Sequence, residues 1–188
     1  FYYCSMDGEP ELCFGDFKEA KGKKNIPLYQ SILNLRDKKW SKAKIYADSI
    51  EDEQLRNGIG ALALVEKALQ DNSSSLNIDA VPQYHQNIID AFRGTDIETQ
   101  LAPLKESPWY YQLIAAKIAL NKSQNELALT FLNNIISDSQ NPLAQVEALR
   151  TRSQIGKIGL STENLKDAVK IFQTSADVSS LVFISESY

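Results

Sequence analysis

From Asn25 onward the apolar residues of the chain recur at intervals of three and four. Leu28, Ile32 and Leu35 make one such row, and Ala43, Ala47 and Ile50 make the next, after Trp40. This spacing gathers side chains on one face of a helix with 3.6 residues per turn, so the stretch predicts a pair of amphipathic helices. A second pair is predicted from EQLRNGIGALALVEKALQ and DAVPQYHQNIIDAF, residues 53–70 and 79–92, with the polar loop Asp71–Asn77 between them. Gly58 and Gly60 each weaken the first of these helices by about 1 kcal/mol relative to Ala, which points to a close helix contact or a boundary. A short helix, DIETQLAPLK, follows, with Pro103 near its end.

Residues 106–142 carry two further amphipathic runs split by a short polar break, bounded by Ser-Pro and Asn-Pro. Ser107 is placed to cap a helix that begins at Pro108, because proline's missing N–H has no intrahelical partner to lose there. Asn141-Pro142 repeats the device ahead of LAQVEALRTRSQI, and Ser161 with Glu163 starts ENLKDAVKIFQ. Residues 1–23 mix aromatics, glycines and charges without a steady period, apart from a short helix expected around Leu12–Ala20. At the other end Leu181, Val182, Phe183 and Ile184 form a β-prone run. The expected organisation is an irregular segment 1–23, a helical domain 24–175 and a tail 176–188.

Internal repetition tests whether the pairs form an array. Four second helices align on a small residue followed four later by another, mostly larger one: Ala43/Ala47, Ala80/Tyr84, Ala128/Leu132 and Ala168/Phe172, at alanine spacings of 37, 48 and 40. Twelve residues before each alanine lie Ser31, Ala68, Ala116 and Gly156, all small, as a close crossing of two helices requires. This resembles the tetratricopeptide-repeat pattern, whose unit is about 34 residues long with small residues where its helices touch. The longer intervals and the missing first-helix Trp and Leu-Gly in most units depart from it, which leaves separate helical hairpins as the alternative. The resemblance implies an all-α helical-hairpin solenoid.

Residues 97–155 also resemble the C-terminal part of bacterial tetratricopeptide-like proteins related to the ancillary SecYEG translocon subunit. The order carried is leucine, Pro-Trp, an alanine-rich helix, a second hairpin helix, Pro, and a helix ending in Arg. That family implies an N-terminal membrane anchor, a helical domain on the periplasmic face of the inner membrane, and contacts with translocon components and client proteins. Residues 1–23 have no counterpart in the pattern. No run of eighteen apolar residues occurs, so membrane attachment is expected only through an anchor outside this chain, and a start at Phe1 rather than Met fits an upstream anchor or signal. Without the resemblance, a cytoplasmic location is the alternative.

Charge and chemistry narrow the function by what they lack. With 20 Lys+Arg against 24 Asp+Glu, the net charge of −4 gives no basic footprint for a phosphate backbone, so nucleic acid is not an expected partner. Cys4 and Cys13 are a single local pair, bridged or free, and no disulfide framework. The lone histidine, His85, reads as a packed or solvated side chain, there is no Gly-x-Ser-x-Gly elbow, and NGIG lacks the remaining residues of a phosphate loop. Glu51-Asp52-Glu53 fits a helix start favoured by the dipole better than a metal site. No cofactor is expected.

These readings predict a non-catalytic protein-interaction module, an accessory or chaperone-like subunit of a secretion or assembly machine. A self-assembling structural subunit and an enzyme whose site no motif marks are the alternatives. Trp109, Leu113, Ala116 and Leu120 share a core-like row, whereas Tyr110, Lys117 and Asn121 share a row of mixed character. In tetratricopeptide-like units the first helix of each pair lines the concave side, which implies Tyr110, Lys117, Asn121 and Arg36 as the partner-binding residues.

Overall fold

A computed structural model describes residues 26–78, 82–94, 96–155 and 162–175. The described residues are all-helical, without strands, and divide into two compact units at Pro103/Leu104. Among them no helix is long and apolar enough to cross a membrane.

The first unit runs through α1 (Ile26–Arg36), α2 (Trp40–Asp48), α3 (Glu53–Gln70), α4 (His85–Arg93) and α5 (Ile97–Leu101). Helices α1 and α2 form the expected hairpin. Ser31 is buried on α1, and its Oγ donates to the carbonyl of Ala43 on α2 at 2.8 Å, so the small residue twelve positions earlier sits at the helix crossing. Asp52 caps α3 by accepting from the N–H of Leu55 at 2.8 Å, which gives the acidic triplet its place at a helix start. Helix α3 packs on α2 and touches α1. A Cβ on Gly60 would lie 3.6 Å from Cε of Lys44, so the lysine stem of α2 crosses this glycine at ordinary contact distance.

The expected pairing of residues 53–70 with 79–92 is not the one observed. α4 begins at His85, after a turn through residues 82–84, and packs against α5, while α3 packs on α2. The loop after α3 is also less polar in effect than in composition, because Leu76 and Ile78 are buried in the core. Tyr84 is the N-cap of α4 rather than a second-helix residue, and Ala80 lies outside the described residues.

The second unit holds α6 (Trp109–Asn121), α7 (Asn125–Asp138), α8 (Pro142–Arg152) and α9 (Thr162–Ser175); the 3-10 helix Ala102–Glu106 lies at the division. Ser107 does not cap α6. Pro108 is the N-cap, and the Ser107 hydroxyl turns back to donate to the Leu104 carbonyl at 2.7 Å. Asn141 does cap α8, its Oδ1 accepting from the Leu143 N–H at 3.1 Å with Pro142 in the first turn. Ala116 on α6 and Ala128 on α7 are fully buried and the two helices pack together. Gly156, Ser161, residues 1–23 and the β-prone tail lie outside the described residues.

The hairpins α1–α2 and α6–α7 close in the same way. Each turn has three residues, and its middle one, Lys38 or Ser123, has a positive φ of 59° or 60°. In one, the N–H of Lys39 bonds the Asn34 carbonyl at 2.8 Å and that of Lys38 bonds Leu35 at 3.0 Å; in the other, Gln124 bonds Ala119 at 2.8 Å and Ser123 bonds Leu120 at 2.9 Å. This is the paired six-to-one and five-to-two pattern that ends a helix on a left-handed residue. Lys38 is seven residues after Ser31 and five before Ala43, and Ser123 stands in the same relation to Ala116 and Ala128.

Candidate functional site

The polar chemistry of the second unit converges on Arg152, the last residue of α8. Leu143, Ala144, Val146, Ala148 and Leu149 are drawn into the core by their apolar surface, and Arg152 follows them in, at 5% exposure. A guanidinium stays charged at any physiological pH, so it needs partners once out of water. It has three: Nε donates to Oδ1 of Asn164 at 2.6 Å, Nη1 to Oδ1 of Asn133 at 3.0 Å, and Nη2 to Oδ2 of Asp167 at 2.5 Å. Asn133 belongs to α7, Asn164 and Asp167 to α9, so one side chain ties three helices. Beside it Val146 and Leu149 of α8 pack against Ala168 and Ile171 of α9, with Ile136 of α7 against the cluster.

A cleft of about 340 Å³ opens over this network between α7, α8 and α9. Asn133 and Ile136 line one wall, Gln145 and Arg152 the floor, and Asp167 and Lys170 the other wall. The α9 wall is one helical row: Glu163, Asp167, Lys170 and Thr174 stand at i, i+4, i+7 and i+11, next to the buried row Asn164, Ala168 and Ile171. The arrangement offers two amides, opposite charges and two isoleucines. Those groups suit recognition by hydrogen bonding and partial desolvation.

The residues expected on a binding row differ in burial. Tyr110 is 5% exposed and its ring meets those of Trp109 and Tyr111 edge-on, at 5.5 and 4.8 Å between centroids, so it packs inside and offers a partner almost no surface. Lys117 is half-buried and Asn121 is exposed at the end of α6. Arg36 is half-buried in the last turn of α1, in the first unit. Trp109, expected in the core, is only half-buried. His85 is 3% exposed at the start of α4, a packed side chain.

Sequence reasoning assigned Arg152 no role, because its partners lie 19, 12 and 15 residues away and no periodicity links them. A fainter signal was present in the polar row of α9, where acid and base share one face beside an apolar row. Compared with protein-family models, with curated protein sequences and with solved structures, the chain matches none of them.

Proposed function

We propose that this chain is a non-catalytic protein-interaction module, an accessory or chaperone-like subunit that holds a partner of a secretion or assembly machine at the bacterial envelope. The observation that carries the interaction reading is the cleft between α7, α8 and α9, whose walls combine amides, both signs of charge and isoleucines over a fixed guanidinium. The shared geometry of the α1–α2 and α6–α7 hairpins supports a tetratricopeptide-like design, in which similar helical pairs present side chains from a rigid frame. The envelope assignment rests on the resemblance of residues 97–155 alone. Binding in such a module proceeds by complementarity with a preformed surface, and no bond is made or broken.

Photo-crosslinking tests the reading. A photoreactive side chain placed at Ser137, an exposed residue of the cleft, should give discrete protein adducts in cells, and the same group at exposed Lys67 of α3 should not. Adducts with envelope secretion or assembly proteins would support the cellular assignment. If neither position gives an adduct and the purified chain turns over a substrate in a broad hydrolase screen, the interaction reading is wrong.

A further inference from the structure

The two amides of the cleft have orientations set by their neighbours. A guanidinium only donates, so Asn133 must turn Oδ1 toward Arg152, and its Nδ2 then faces away from the floor. A backbone carbonyl only accepts, so Gln145 must turn Nε2 toward the carbonyl of Ile136, which it meets at 2.9 Å, and this leaves its Oε1 on the other side. The cleft therefore presents one held donor and one held acceptor. Ile136 is three residues from Asn133, so the two amides are anchored about 4.5 Å apart along α7.

We infer that the cleft binds the main chain of an extended peptide segment of a partner protein, with Asn133 donating to a peptide carbonyl and Gln145 accepting from a peptide N–H. This rests on the interaction-module reading and names its ligand class. An exposed peptide backbone offers a donor and an acceptor on every residue, and two amides held before binding lose little rotational freedom when they meet it. The α9 wall selects the side chains. Lys170 and Glu163 are both exposed and stand seven residues apart, about 10 Å along the helix. The matching segment carries an acidic and a basic residue about three positions apart, since an extended chain advances roughly 3.3 Å per residue. Arg152 is already neutralised by Asp167, so it positions Asn133 and does not itself attract the ligand.

The variant Asn133→Asp tests the claim, because it keeps an oxygen for Arg152 while it turns the outward donor into an acceptor and adds one negative charge beside the guanidinium. A displayed library of random ten-residue peptides is selected on the whole chain, and enriched peptides are titrated by fluorescence anisotropy. We expect enriched sequences to carry the acid–base pair, binding to weaken about tenfold in Asn133→Asp with no fall in its urea midpoint, and Lys170→Glu combined with Glu163→Lys to favour the reversed charge order. Equal binding to the parent and to Asn133→Asp overturns the cleft as the peptide site and leaves the interaction reading standing. Failure of any peptide to enrich overturns the ligand class, and the crosslinking at Ser137 then decides separately whether a folded partner is held instead.

Discussion

Removing the carboxylate of Asp167 tests whether the Arg152 network holds α9 in place. Asp167→Ala takes away the counter-charge and one charge-assisted hydrogen bond while the guanidinium stays behind, its side chain 6% exposed. Stripping one partner from a buried ion pair costs about 3–5 kcal/mol, and a hydrogen bond to a charged group contributes about 1.5–3 kcal/mol. Asp167 is itself 29% exposed, so water reaches the vacated position and the expected loss falls to about 2–3 kcal/mol. Arg152→Met should cost a similar amount, because it leaves the amide oxygen of Asn164, a residue 1% exposed, without this donor. The two losses share one interaction, so the double variant should be less destabilised than their sum by about 1 kcal/mol or more. Urea unfolding followed by far-ultraviolet circular dichroism measures the stabilities, and amide hydrogen exchange locates the loss in α9. If Asp167→Ala changes stability by less than about 0.5 kcal/mol, or if exchange in α9 is unchanged, the network is a surface decoration and the argument fails.

Four further substitutions probe the frame. Gly60→Ala should stabilise by about 0.5–1 kcal/mol, since its Cβ would meet Lys44 at ordinary contact distance, whereas Gly94→Ala should destabilise because its Cβ would lie 2.7 Å from the Asp90 carbonyl oxygen; thermal melts of the two should move in opposite directions. Ser123→Gly should stabilise by about 1 kcal/mol, because its φ of 60° strains any residue with a Cβ, and a chemical-denaturation midpoint that does not rise would contradict the turn geometry. Ala116→Leu should lower stability by about 1–3 kcal/mol through overpacking at the α6–α7 crossing, and an unchanged melting temperature would place that residue elsewhere.

The hairpin register was legible because it is local. Two small residues twelve apart, Ser31 with Ala43 and Ala116 with Ala128, mark where neighbouring helices of fixed pitch cross, and nothing distant alters that relation. The same rule misled at Tyr84, because residues 82–84 form a turn and the helix starts only at His85. Ser107 looked like a cap, yet its hydroxyl found the Leu104 carbonyl of the preceding 3-10 helix, a competitor that helix-start statistics ignore. The face of α6 was misread for another reason. Tyr110, Tyr111, Leu113, Ile114, Ala115, Ala116, Ile118 and Ala119 are all buried, so apolar residues surround the helix and no row stands out as its inner one. The candidate site was the least legible part, since Arg152 meets Asn133, Asn164 and Asp167 only once three helices have packed.

The two three-residue turns carry a consequence for how copies of this chain behave together. A left-handed Lys38 or Ser123 stores strain that is released when its hairpin opens, and the turn is then short enough to continue as helix. An opened α6–α7 pair can find the same apolar contacts on a second opened chain, since every buried surface it lost is offered there in identical form. Short strained hinges of this kind are the ones that favour domain swapping. An exchanged dimer would keep the interior contacts of the monomer and differ from it mainly at the hinge. Protein concentration, rather than any new interface, would then set how much of it forms.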